Sequence, residues 1–213
     1  MKRVRVLLAD DHRIVAEALT KLLEPEFELV GIVDDGLALL DAVARLEPDV
    51  IVSDIGMPEL NGVDALEELK KVNPNVKVVF LTMHRDLAYA RRALDAGALG
   101  YVLKHSAADE LVLAVRSAAV GRMFITPSIA GPILNAFKGG DGADFDPVRK
   151  LTLRQREIMQ LLAAGNSAKT IAKRLKISPR TVEYHKYSMM ETLGVSSNAE
   201  LIRFALKYGV ADT

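Results

Sequence analysis

The sequence predicts an α/β fold, a doubly wound five-stranded parallel sheet, followed by a second, all-α domain. Three observations carry this. Short apolar, β-rich runs alternate with amphipathic stretches of helical period up to about residue 121; a glycine-rich acidic tract interrupts the pattern at 138–147; beyond it every periodic stretch is helical. At 213 residues, 50% hydrophobic and 26% charged, the chain has the composition of one or two compact domains and not of a fibre or a disordered polymer.

The elements follow in order. Apolar runs at Val4–Ala9, Leu29–Val33, Val50–Ser53, Val76–Thr82 and Gly100–Lys104 read as strands. Val15–Leu23, Leu37–Leu46, Val63–Val72, Leu87–Ala96 and Ala108–Val120 read as the intervening helices, and Gly36, Pro48, Pro74 and Gly97 punctuate their ends. Phe124–Phe137 reads as a further short helix, and KGGDGADFDP (138–147) has a flexible linker's composition. The expected domains are therefore 1–122, a helix and linker over 123–147, and 148–213. Four helices are expected in the last: Thr152–Ala164, Ala168–Leu175, Pro179–Leu193 and Ala199–Tyr208. Thr152 with Gln155 forms a capping box, and Ser178 precedes a proline at a first helical position.

Charge separates the two parts. The formal net charge is zero, with 28 basic and 28 acidic residues, yet residues 1–138 carry net −4 and residues 139–213 net +4. From Pro147 onward the excess is +7, which points to a polyanion as that segment's partner. The absence of cysteine removes disulfide frameworks and thiolate chemistry, and four scattered histidines argue against a metalloenzyme. No apolar run approaches the roughly 18 residues a membrane span needs. Met1–Ala9, interrupted at once by Asp10 and Asp11, is too short for a signal peptide. The expected location is the cytoplasm, with no membrane partner.

In a doubly wound sheet the loops leaving the carboxyl ends of the strands build the site. Asp10 and Asp11 follow the first strand, Asp54 the third, Thr82 ends the fourth and Lys104 the fifth, so residues distant in sequence converge on one crevice. An isolated acidic pair before a helix is ordinarily an N-cap cluster, and a lone strand-end Asp or Thr a turn residue. Together, three carboxylates so close repel unless a divalent cation or a proton compensates. Hard oxygen ligands point to Mg²⁺. The chemistry that suits the set is phosphoryl transfer to a carboxylate, with Asp54 as nucleophile, Asp10 and Asp11 as metal ligands, Lys104 offsetting phosphoryl charge and the Thr82 hydroxyl donating to a phosphoryl oxygen.

The stretches LLADD (7–11), SDIGMPELNG (53–62), LTMH (81–84) and GYVLK (100–104) resemble, in order and at strand ends, the motifs of two-component receiver domains, a flavodoxin-like fold, over residues 4–121. The resemblance implies phosphorylation of Asp54 by a sensor histidine kinase. It implies Mg²⁺ held by Asp11, Asp54 and the Gly56 carbonyl with Asp10 nearby, and a switch in which Thr82 moves and Tyr101 rotates inward. Gly56 and His84 are expected to help set the rate of phosphoryl loss.

In the basic segment, a helix, a turn at Gly165–Ser167, a second helix and a capped third helix give the order of a helix-turn-helix unit. On the third helix Val182, Met189 and Leu193 share the core stripe with His185 on its flank; Arg180, Glu183, Tyr184 and Tyr187 lie across the other face. Lys169, Lys173, Arg174, Lys176 and Lys186 are placed for phosphates. Residues 151–201 resemble the DNA-binding domain of NarL/FixJ (LuxR-type) regulators. That implies base contacts from Glu183, Tyr184 and Tyr187, a DNA-facing set that also holds Thr181, and dimerisation through the last helix at Leu201, Phe204, Ala205 and Tyr208. Where that family usually has Lys and Arg, this sequence has Thr192 and Asn198.

The expected function is a response-regulator transcription factor that catalyses only its own phosphoryl uptake and loss. Its expected partners are a sensor histidine kinase, double-stranded promoter DNA, a second copy of itself when active, and RNA polymerase. One competing expectation is a phosphorylation-independent regulator whose first domain is a dimerisation or ligand module. A second is a haloacid-dehalogenase-like phosphatase, which wants an Asp where Gly56 stands.

Overall fold

The computed structural model describes residues 3–83, 87–138 and 147–211, in two compact units divided after Lys138. In the first, β1 (Arg5–Ala9), β2 (Glu28–Val33), β3 (Val50–Ser53), β4 (Val78–Thr82), β5 (Gly100–Leu103) and β6 (Phe124–Ile125) form one parallel sheet in the order β2-β1-β3-β4-β5-β6. The order reverses between β1 and β3, the crevice where open α/β sheets bind their ligands.

Strand residues alternate between the two helical layers. Val6, Leu8, Val50, Val52, Val79, Leu81 and Val102 pack with α1 (Arg13–Leu23) and α5 (Ala107–Ala119), through Ala16, Leu19, Leu23, Leu111, Ala114, Val115 and Ala118. Between these come α2 (Gly36–Leu46), α3 (Gly62–Val72) and α4 (Leu87–Asp95), with α2 packed against α3. β1, β3, β4 and β5 are almost wholly buried, which is why they read as continuous apolar runs.

The sheet has six strands where the sequence predicts five. Residues 123–138, expected as a helix outside the first domain, belong to its unit: Phe124 N–H donates to Leu99 O at 2.9 Å and Thr126 N–H to Tyr101 O at 3.0 Å. A helix, α6 (Pro127–Lys138), follows and packs on α4. Two strand residues are too few to show a period of two. Most of the expected linker lies outside the described residues, as does His84.

In the second unit, α7 (Leu153–Ala163), α8 (Ala168–Arg174), α9 (Pro179–Leu193) and α10 (Asn198–Lys207) enclose Ile158, Leu161, Ile171, Val182, Met189, Leu201 and Ala205. The predicted capping box at Thr152 and Gln155 is present, and Ser178 caps α9 with Pro179 in its first turn. Gly194, at φ 67°, ends α9 in the left-handed region that glycine adopts without steric cost. No helix among the described residues is long and apolar enough to cross a membrane.

Candidate functional site

Register brings the acidic residues together. Ala9 pairs with Ser53 and Thr82 with Leu103, so the residues just beyond, Asp10, Asp54 and Lys104, leave the sheet at one edge. Asp54 N–H donates to Ala9 O at 2.8 Å and Asp10 N–H to Val33 O at 3.0 Å, which fixes both backbones. The loop after Asp54 turns back closely: a Cβ on Gly62 would sit 2.3 Å from Asp54 O, so only glycine lets α3 begin there. Asn61 caps that helix, its Oδ1 accepting from Val63 N–H and Asp64 N–H at 3.0 Å each.

One ammonium serves two carboxylates. Lys104 Nζ donates to Asp54 Oδ2, fifty residues away in sequence, and lies 2.8 Å from Asp10 Oδ2. Their side chains are nearly closed off, at 12%, 10% and 1% exposure for Lys104, Asp54 and Asp10. Asp54 Oδ1 accepts from Ile55 N–H at 2.7 Å and Gly56 N–H at 3.4 Å. Burial pushes the Asp54 carboxyl above its ordinary range and the Asp10 charge adds to this, against the hydrogen bond and charge of Lys104. Burial alone would lower Lys104, but its hydrogen bonds to Asp10 and Asp54 and their charges outweigh that and raise it. Three carboxyl groups, those of Asp10, Asp11 and Asp54, thus gather where Lys104 supplies one ammonium.

That imbalance suits a divalent cation. Ligand atoms of Asp10, Asp11, His12 and Asp54 all lie within 4.8 Å of one another. Asp10 Oδ2 is fully buried, with Lys104 Nζ at 2.8 Å. The alternative role, capping α1, is not taken by Asp10 or Asp11: the N-cap is His12, with no side-chain cap. Asp10 instead accepts from His12 N–H at 2.9 Å, and His12 Nδ1 stands 2.8 Å from Asp11 Oδ1. His12 is the residue sequence reading missed; its position directly after the acidic pair was the available signal. Thr82 and Tyr101 are both fully buried, so the tyrosine lies inside in this structure.

The second unit presents a different surface. α9 packs on α7 and α8 through Val182 and Met189, leaving Tyr184 and Tyr187 outward at 68% and 63% exposure. Lys169, Lys173, Arg174, Lys176 and Arg180 are exposed, as expected of phosphate contacts. Five of the expected residues have partners within the unit itself. Lys186, placed for phosphate, is paired with Glu183, placed for bases, because the two are one turn apart on α9. The Thr181 hydroxyl is taken up by the Ser178 cap at 2.8 Å. In α10, Leu201 and Ala205 are buried in the unit's own core. Phe204 and Tyr208 are half-buried, ring on ring at 4.3 Å, and remain at the surface.

Comparison with known proteins agrees with both halves. Residues 6–116 match the response regulator receiver domain, and residues 149–205 the bacterial regulatory proteins of the luxR family. The oxygen regulatory protein NreC of Staphylococcus carnosus is 34% identical over 98% of this chain and 100% of its own. This chain belongs to the NarL/FixJ family of response regulators. The transcriptional regulatory protein DegU of Brevibacillus brevis is 32% identical over 97% of this chain and 94% of its own. Among solved structures, RcsB of Salmonella enterica serovar Typhimurium, bound to a promoter in the presence of a beryllium fluoride phosphomimetic, aligns with TM-score 0.62 and 28% identity, covering 96% of this chain and 99% of RcsB. Like its family, this response regulator couples phosphorylation of a receiver domain to control of transcription through a DNA-binding helix-turn-helix domain.

Proposed function

We propose that Asp54 is the phosphoryl acceptor and that its modification, by a sensor histidine kinase, governs dimerisation and promoter binding by the C-terminal unit. The observation that carries this is the Lys104 ammonium set between Asp54 and Asp10 in a crevice at the sheet's switch point. A carboxylate oxygen of Asp54 forms the new O–P bond as the donor's N–P bond breaks and its imidazole leaves. Lys104 neutralises phosphoryl charge, the buried Thr82 hydroxyl is within the same strand edge to donate to a phosphoryl oxygen, and the Ile55 and Gly56 amides hold the acceptor carboxyl in place. Asp10, Asp11 and Asp54, with the Gly56 carbonyl, would hold Mg²⁺, which supplies charge neutralisation for the transferring group. Catalysis ends with the chain's own phosphoryl uptake and loss.

On the C-terminal unit, Tyr184, Tyr187 and Arg180 face the major groove while Lys169 and Lys173 meet backbone phosphates. Phe204 and Tyr208 form the part of α10 left for a second copy. The promoter-bound RcsB structure supports this arrangement by analogy. RNA polymerase is a further partner of a regulator bound at a promoter.

Incubation with acetyl phosphate and Mg²⁺ should add one phosphoryl group to the protein, none to Asp54→Asn, and tighten DNA binding only in the former. Equal DNA binding by both proteins, with and without the phosphodonor, would favour a phosphorylation-independent regulator.

A further inference from the structure

Lys104 is aimed by the backbone just before it, and that backbone is anchored from an unexpected direction. On its β6 side the Leu103 amide lies beyond the two residues by which β5 and β6 pair, so β6 offers it no ladder partner. A buried amide must find an acceptor. It finds Thr126 Oγ1, at 3.1 Å, and this hydroxyl donates onward to the Glu110 carboxylate at 2.5 Å. The backbone N–H of Thr126 donates to Tyr101 O at 3.0 Å. One buried residue therefore grips β5 twice, beside the switch tyrosine and beside the residue that precedes Lys104. The next residue, Pro127, opens α6, the path along which the chain leaves the receiver unit.

We propose that Thr126 is a positioning residue for phosphorylation. Its hydroxyl fixes the Leu103 amide, and through it the Lys104 ammonium between Asp54 and Asp10, so that the start of α6 moves with the lysine that touches the phosphoryl group. The proposal rests on Asp54 as the acceptor. A valine at 126 fills the same volume but leaves the Leu103 amide and the Glu110 carboxylate without their shared partner, whereas serine keeps the bond.

The test uses the full chain with acetyl phosphate and saturating Mg²⁺. Thr126→Val should slow phosphoryl uptake by about tenfold, as small misplacements of a charged group do, and Thr126→Ser should restore the rate to within about threefold. Hydrogen exchange of the Leu103 amide should rise by about tenfold in the valine variant alone. Phe124→Ala loosens the same edge strand without touching the Leu103 amide, and should stay within about twofold of wild type, which separates positioning from general loosening. A folded Thr126→Val protein that takes up phosphoryl at the wild-type rate would overturn the proposal. Should that variant not fold, Glu110→Ala, which removes the outer anchor of the hydroxyl, carries the same expectation and the same refutation. Wild-type protein that takes up no phosphoryl group at all would instead refute Asp54 as acceptor, and this proposal with it.

Discussion

Replacing Lys104 by methionine keeps the length of the stem and removes its charge, leaving Asp10 and Asp54 facing each other across a crevice that exposes 1% and 10% of their side chains. Removing one partner of a buried ion pair costs about 3–5 kcal/mol, because the group left behind stays desolvated. The crevice mouth admits some water, so the lower end applies, about 3 kcal/mol in metal-free protein. For a unit the size of Met1–Lys138 that corresponds to a fall in melting temperature of roughly 10 °C. The assay is residue-resolved hydrogen exchange in EDTA on the amides of β1 and β4, whose slowest members report opening of the whole receiver unit. Mg²⁺ should then stabilise Lys104→Met more than wild type, since the more negative pocket binds the cation more tightly and ligand binding to the folded state adds stability. An opening free energy within about 1 kcal/mol of wild type, together with an equal response to Mg²⁺, would mean that Lys104 does not compensate these carboxylates, and would refute the reasoning.

Other outcomes follow from the same contacts. The Arg92 guanidinium meets the buried Asp64 carboxylate at 2.5 Å between α4 and α3. Arg92→Met should therefore cost about 3 kcal/mol in urea unfolding, and a loss below about 1 kcal/mol would count against a structural pair. Ser178→Ala removes the cap on Thr181 N–H, at 3.0 Å, and should destabilise the second unit by about 1 kcal/mol in thermal melts, while Ser178→Asp should be near neutral. Lys173→Ala should weaken binding on all DNA sequences alike and reduce the slope of log affinity against log salt by about one, measured by fluorescence anisotropy. Tyr187→Ala should instead change which sequences are preferred; an unchanged preference would remove it from base reading.

Much of the receiver fold was legible because its central strands are buried on both faces and its site sits where strands end. Ala9 is in register with Ser53 and Thr82 with Leu103, so residues distant in sequence had to converge once the parallel sheet was inferred. β6 was not legible: it is two residues long, and its membership rests on hydrogen bonds to Leu99 and Tyr101 that no pattern of side chains announces. His12 was hidden by its neighbours, since an acidic pair before a helix reads as a cap, whereas the histidine's backbone takes that position. In the C-terminal unit the caps were readable from Ser178-Pro179 and from Thr152 with Gln155, each a local signal. The neighbours that Lys186, Leu201 and Ala205 meet within the unit were not, because helical period gives a face but not its occupant. Lys186 turns to Glu183, and α7 covers the stripe on α10 that holds Leu201 and Ala205.

On the proposed function, phosphorylation of Asp54 decides whether the second unit selects its DNA sites. Selection of genomic fragments by the purified full chain, with and without beryllofluoride plus Mg²⁺ at one fixed salt concentration, tests it most directly, because affinity for DNA is uninterpretable without the salt. A two-fold symmetric motif should be enriched with the phosphoryl mimic only, and by Asp54→Asn in neither condition. Equal enrichment with and without the mimic would contradict it.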